Sequence, residues 1–326
     1  MFLNYILLWN IYPDFAPDLG RAQKIEKKRL TCNRAGYKIP ASMNAPYYLE
    51  SIQEIIITTL YTSCIKGAVP VSLVLVAESG TAKSKLLQAI EGTCVHQTDS
   101  FTSTGLFELT KHDLENKLHW IVTPDMNPTL SRRPATVVST VSNLLTLTMD
   151  GTCRVDDGRS EKIAKHNPMG FLSGITPDIY SKQAKKWLSL GLRRRIIPLF
   201  YEYTLSTIDK LKAVLREDKI SGSAFPPMKF NRNGEHKPVI GENMAYQIES
   251  KGTQLSIHLG LQKIRDDQGK LKWYVRSIVP ISPITTLRTL ARAHALKDNR
   301  AEVNEADINF LSTFLDFTNP SCPKQI

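Results

Sequence analysis

The stretch "SLVLVAESGTAKSKLLQAI", Ser72 to Ile90, constrains the fold more than any other part of the chain. "VSLVLVA" follows Pro70 as a continuous apolar run and reads as a strand buried on both faces of a parallel sheet. A loop of small and polar residues comes next, then a helix over "KSKLLQAIEG". A buried parallel strand feeding a helix commits the chain to an α/β architecture, with helices covering the sheet.

The loop has the layout of a phosphate-binding loop, G-x-x-x-x-G-K-[ST]. Such a loop turns backbone N–H groups toward a polyphosphate ahead of a helix N-terminus. A lysine reaches the β/γ-phosphates and a hydroxyl ligates Mg²⁺. Lys83 and Ser84 stand in those places, and Gly80 is retained. Both glycines of the pattern are alanines here, Ala77 and Ala82. Each can fit if its φ is negative, because glycine's particular use is φ > 0 and close approach. On spacing alone, a surface turn between a strand and an ordinary helix stands as the alternative.

The rest of the chain supplies the setting. Its 326 residues suit one large α/β domain, or a medium domain with a smaller one attached. A hydrophobic fraction of 42% is enough for a substantial core, and the net charge of +11 permits anionic partners such as nucleic acid or nucleotide. Five cysteines without a C-x-x-C pair predict neither a zinc site nor a disulfide framework, and fit a reduced, cytoplasmic setting. "MFLNYILLWN" is too short to span a bilayer, lacks the marks of a signal peptide, and reads as a packing segment, a poorly ordered start or a membrane-surface contact. No other run is long enough to cross a membrane.

Residues 1–46 read as an arm or linker, whose "RAQKIEKKRL" is a solvated segment or a phosphate-backbone contact. "APYYLESIQEIIITTLYTSCIKG" predicts a helix with Gly67 at its C-cap, and Leu118–Thr123 a strand. "SRRPATVVSTVSNLLTLTMDG" predicts a helix ending at Gly151; "MGFLSGITPDIY" and "RRRIIPLFYEYT" give two further strands, the last an outer one. The polar segment after Gly151, with Gly158, suits a hairpin over 150–165. Composition shifts at Ser221, which divides a core of 47–220 from a helical domain of 221–326. In that second part, "IGENMAYQIESKGTQLSIHLGLQKI" reads as helix and "DDQGKLKWYV" as a turn with a short extended piece. "SPITTLRTLARAHALKD" and "NEADINFLSTFLDF" read as helices, the latter capped by Asn304 with Asp307 three residues on.

"GTAKSKLL" resembles the loop of minichromosome maintenance (MCM) helicases, where a G-x-x-G-x-A-K-S pattern places alanine before the lysine. The order of the later motifs is similar to that of AAA+ ATPases, of the MCM and MoxR types, over about residues 47 to 317. The resemblance implies a three-layer P-loop (AAA+) core with a mainly parallel sheet, followed by a small helical lid. It implies ATP and Mg²⁺ as ligands, with Glu78, Ser79, Gly80, Thr81, Ala82, Lys83, Ser84 and Lys85 around the phosphates. Asp125 would join Ser84 on Mg²⁺ or orient the attacking water, although Pro124 replaces the first residue of the usual Asp-Glu pair. Thr176 matches the residue that contacts the γ-phosphate or the water. Arg195, with Arg194 as second choice, matches an arginine that reaches the neighbouring subunit's γ-phosphate. Arg288 stands one helical turn from the lid arginine position, which is Ile284 here. The segment "RAEVNEAD" matches an R-x-x-V-[TN]-x-x-D turn of such lids. A strand-end turn at Asp125, a turn at Thr-Pro-Asp, and a basic surface loop at the arginines are the structural alternatives. The resemblance further implies a homo-oligomeric ring, a hexamer, and an MCM-like motor acting on DNA. A MoxR-type protein remodeler and a nucleotide-binding assembly scaffold with weak hydrolysis are the rival readings.

Overall fold

Along β1 (Ser72–Val76) every side chain is buried, and strand alternation sends them to opposite faces. Leu73 and Leu75 enter one hydrophobic core; Val74 and Val76 enter another. The same division recurs on three other strands of the sheet, with Val122, Leu172 and Ile197 in the first core and Ile121, Phe171 and Ile196 in the second. This two-sided burial makes a three-layer α/β fold, in which each fully buried Val, Leu, Ile or Phe contributes about 1.5–3 kcal/mol.

The computed structural model describes residues 47–113, 115, 117–156, 161–216, 228–229, 237–265, 270–276 and 278–326. The arm over 1–46 and the expected boundary at Ser221 lie outside them. The order begins with α1 (Glu50–Tyr61), β1, α2 (Lys83–Gln88), β2 (Ile90–Glu91), β3 (Val95–Gln97), α3 (Ser103–His112) and β4 (Trp120–Thr123). It continues through α4 (Asn127–Leu130), α5 (Pro134–Asp150), β5 (Thr152–Asp156), β6 (Glu161–Lys165), β7 (Gly170–Ile175), α6 (Pro177–Ser189) and β8 (Ile196–Glu202). Then come α7 (Leu205–Arg216), β9 (Met228–Lys229), α8 (Glu242–Gly260), β10 (Leu261–Arg265), β11 (Leu271–Val275), α9 (Ile281–Lys297), α10 (Glu305–Asp316) and β12 (Lys324–Gln325).

The central sheet has six strands in the order β12-β8-β1-β7-β4-β3, all parallel. From β1 the chain crosses to the far edge at β3, returns through β4 to β7, and passes over β1 to β8. β1 and β7 are therefore neighbours whose following connections leave in opposite directions. Among open α/β sheets, ligand crevices form beyond the carboxyl ends of such a pair. The core that holds Leu73 also takes in Ile52 of α1 and, from the C-terminal half, Leu255 of α8, Leu290 of α9 and Phe314 of α10.

Several sequence expectations need correction. α2 stops at Gln88, because Ile90 turns into a short parallel pair with Met228. α1 ends at Tyr61 and runs into a 3₁₀ turn, so Gly67 (φ 71°) lies beyond the helix end instead of capping it. β8 is not the outermost strand, since β12 pairs alongside it. The helix read through "LGLQKI" ends at Gly260, and Leu261–Arg265 pairs antiparallel with Leu271–Val275, so the C-terminal part is not purely helical. The hairpin over 150–165 is present as β5 and β6, and α5 ends with Gly151 in the left-handed region (φ 63°). Asn304 and Asp307 form the full capping box of α10. No helix among the described residues is long and apolar enough to cross a membrane.

Candidate functional site

The loop leaves β1 at Ala77, whose N–H bonds to Ile175 O at 3.3 Å and ties the ends of β1 and β7 together. Ala77 is not among the positive-φ residues, so its methyl group is tolerated there. Gly80, at φ 83°, does require glycine's freedom. Ala82 does not meet that condition: its φ is 60° and ψ 10°, in the left-handed region. A non-glycine residue there costs roughly 1–2 kcal/mol. Neighbouring bonds hold this conformation. Tyr201 and Tyr203 on and beside β8 donate to Thr81 O at 3.1 and 3.5 Å, and Thr81 Oγ1 donates to Glu78 O at 2.7 Å. Ala82 also packs its side chain against the larger core.

Lys83 opens α2 and is 8% exposed. Its Nζ donates to Ala77 O at 2.5 Å, Glu78 O at 2.6 Å and Thr81 Oγ1 at 3.3 Å. No carboxylate forms an ion pair with it among the described residues. Burial lowers its pKa, against the opposing charges of Asp125 and then Glu78. The ammonium therefore sits in the hollow of the loop, held by neutral oxygens. α2 has only six residues, so its dipole is short and the lysine and the loop N–H groups must carry any anion binding. Gln97 of β3 fixes the far end of α2 by donating to Gln88 O at 3.2 Å and Ile90 O at 2.5 Å.

Ser84 Oγ donates to Pro124 O at 3.4 Å, across 40 residues of sequence, bringing the hydroxyl to the end of β4. The next residue, half-buried Asp125, accepts from Asn127 N at 2.9 Å through Oδ1 and so shapes the start of α4. Met126 N bonds to Gly174 O at 2.9 Å. Gly174 is the point where these segments converge: a Cβ there would lie 2.8 Å from Pro124 O and 3.5 Å from Lys83 Cβ. Thr176 closes β7 as the N-cap of α6, yet its hydroxyl makes no capping bond. Lys83, Ser84, Asp125 and Thr176 thus belong to segments gathered at the carboxyl ends of β1, β4 and β7. Glu78, Ser79 and Lys85 are exposed around them.

The arginines divide. Arg193, not singled out from sequence, is 1% exposed; it donates to Leu261 O at 2.7 Å and His258 O at 3.3 Å and lies over the Tyr180 ring. Arg194 is exposed and Arg195 half-buried, both outside that anchor. Arg288 faces Glu249 of α8 at 3.7 Å. The R-x-x-V-N-x-x-D turn has a structural explanation. Arg300 grips both oxygens of fully buried Asp307 at 2.6 Å each, and Asp307 also accepts from His294 Nδ1 at 2.6 Å and Asn304 N at 2.8 Å.

One cavity of about 510 Å³ lies between α3 and β6, lined by Phe107, Lys111, Asp113 and Lys165 and by no residue of the loop. Next to it, a His166–Asp113 contact at 2.7 Å fastens the β5–β6 hairpin to the end of α3. Asn143 fastens the other strand, through Arg154 N at 3.0 Å and Arg154 O at 2.6 Å. Arg154, Lys162, Ile163 and Lys165 remain exposed on that hairpin.

Sequence reasoning passed over Gly174, Tyr201, Tyr203 and Gln97. The two tyrosines carried a usable signal, because spacing i, i+2 on a strand puts both on one face. Gly174 carried a weaker one, a glycine inside an otherwise apolar strand, which marks close backbone approach. No protein-family model matches the chain, and no curated protein matches it.

Proposed function

We propose that this chain is an ATP-binding and ATP-hydrolysing module of the AAA+ type, an MCM-like motor acting on DNA. The observation that carries the reading is Lys83: a buried ammonium, without a carboxylate partner among the described residues, held on loop carbonyls at the carboxyl ends of β1 and β7. Such a group gains from an arriving phosphate what the protein itself does not supply. In this reading the loop N–H groups and Lys83 bind the β/γ-phosphates. Ser84 and Asp125 would hold Mg²⁺, which when bound with ATP neutralises phosphate charge; a lone hydroxyl and carboxylate fit Mg²⁺ arriving with a phosphate ligand better than a bare ion. Asp125 and Thr176 position the attacking water, and Arg195 or Arg194 of a neighbouring subunit in a ring would steady the developing charge. The C-terminal helices act as the lid.

Pro124 favours one rival, a nucleotide-binding scaffold with weak hydrolysis, because the position beside Asp125 offers a carbonyl already engaged by Ser84 instead of a second carboxylate. The deciding experiment is calorimetric titration with Mg·ATP, followed by ATP turnover with and without DNA. Binding with DNA-stimulated turnover supports the motor; binding without turnover supports the scaffold. Absence of binding refutes both.

A further inference from the structure

The β10–β11 hairpin has no part in the loop, the acid or the trans-arginine reading, and its surface is unusual. Lys272, Trp273, Tyr274, Val275 and Arg276 are consecutive and all exposed. Alternation puts Trp273 and Val275 on one face of the ribbon, and Lys272, Tyr274 and Arg276 on the other. Both faces of the strand thus carry solvent-exposed side chains over Lys272–Arg276. Trp273 is 38% exposed and Tyr274 54%, while Trp120 and Trp187 are buried. A two-stranded ribbon is marginal by itself, so this one depends on its base. There Arg193 holds Leu261 O, Arg276 N bonds to Gly260 O at 3.0 Å, and a Cβ on Gly260 would clash with Arg276 O at 2.2 Å. The ribbon is thus anchored at its base, with Tyr274 one residue pair and Trp273 two residue pairs along from Val275.

We propose that this ribbon docks single-stranded DNA, with Trp273 and Tyr274 stacking on unpaired bases while the basic side chains follow the phosphates. Residues 261–276 carry Lys263, Arg265, Lys270, Lys272 and Arg276 against Asp266 and Asp267, in a chain of net charge +11. In the register Lys263 stands opposite Trp273, and Ile264 opposite Lys272, so basic and aromatic positions interleave on the strand pair. That combination is what sequence-tolerant single-strand binding uses: aromatic platforms for bases and a cationic track for the backbone. A duplex hides the faces on which the rings would stack. The choice of DNA rests on the proposed action on DNA; the surface itself does not involve Lys83. The anchor, Arg193, lies in the same turn as Arg194, which precedes Arg195.

The test is fluorescence anisotropy with a labelled oligothymidylate of about 20 nucleotides, longer than a typical single-domain site. It is run without nucleotide, so a loop that fails to bind ATP leaves the outcome unaffected. Removing each ring, by Trp273→Ala and Tyr274→Ala, is expected to weaken binding at least about fivefold. Trp273→Phe is expected to retain most of the affinity, which separates stacking from a folding defect. Lys272→Ala and Arg276→Ala are each expected to flatten the log–log salt slope by about 0.7. The proposal is overturned if the wild type does not bind, if the double ring variant binds as tightly, or if a duplex of equal length competes equally. Tighter binding of oligouridylate would overturn the choice of DNA.

Discussion

Lys83→Met keeps the length and apolar stem of the side chain and deletes its charge. Burial depresses the pKa of this lysine, opposed by Asp125 and Glu78. A cation whose folded pKa is depressed costs stability at every pH below that pKa, and the cost fades as the amine deprotonates. Methionine removes this cost. It also removes the donor to Ala77 O and Glu78 O. Glu78 O keeps Thr81 Oγ1 as a donor at 2.7 Å, so the Ala77 carbonyl bears most of the loss. A hydrogen bond from a charged group is worth about 1.5–3 kcal/mol. The two effects oppose each other, and the net change in stability is expected to stay within about 1.5 kcal/mol. For a chain of this size that moves Tm by no more than about 5 °C.

Nucleotide affinity should respond differently. A bound phosphate loses its charged donor outright, so the dissociation constant for Mg·ATP should rise about 10- to 150-fold. The pair of measurements is a circular-dichroism melt and a calorimetric titration on the same preparations. A near-neutral melt with a large loss of affinity marks a lysine kept for its ligand at the expense of stability. The reasoning is refuted if the variant melts more than about 10 °C lower and binds ATP as the wild type does. Lys83 would then be a strut that braces the loop.

The Asp307 network makes predictions of the opposite kind. Asp307→Ala leaves Arg300 and His294 without their shared acceptor, and should cost about 3–5 kcal/mol in a urea titration; a cost below about 1 kcal/mol would contradict the buried-pair account. Burial opposes charge on His294, but its bonds to Asp307 and Glu54 prevail and raise its pKa above 6.5. Its contribution is therefore full below pH 6.5 and lost as pH rises through the raised value, so the stability difference between wild type and His294→Asn should shrink over that interval. Glu54 is held down to about 2, chiefly by its bond to His294, so its contribution is present above pH 4.5 and lost as pH falls toward 2. Gly174→Ala forces a methyl group to 2.8 Å from the Pro124 carbonyl, which should cost about 1–3 kcal/mol and weaken nucleotide binding; an unchanged melting curve would show that the β4 end moves freely.

The sheet was legible wherever a strand is buried on both faces. β1, β4, β7 and β8 are continuous apolar runs because helices cover them on each side. β3 and β12 were not legible, because strands of three and two residues offer no periodicity to read. β10 was misread as helix for a related reason. Its partner, β11, is what makes it a strand, and "LQKI" continues a helical pattern as well as it begins a ribbon. α10 was legible to its capping box, since Asn304 and Asp307 are local partners three residues apart. Of the candidate site, the residue types on the loop were readable, and its backbone was not. Nothing in the letters "TAKS" fixes the φ of Ala82; Tyr201 and Tyr203, about 120 residues away, help hold it.

Ala82 and Pro124 are both departures from the usual pattern, but they act on different steps. Ala82 bears a conformational cost in the backbone, and the cost is met locally: its methyl group lies against the core and Thr81 O is braced by two hydroxyls. A strained residue persists only where its surroundings over-determine it, and here they do. The loop's shape is therefore compatible with alanine, and the proposed phosphate binding does not require glycine there. Pro124 is different in kind, because no packing supplies a missing carboxylate. Its carbonyl holds Ser84, and Asp125 Oδ1 is committed to Asn127 N. One carboxylate must then serve in both structure and chemistry. In the proposed function, binding and hydrolysis are separable for that reason, and the turnover step is where the motor and scaffold readings diverge.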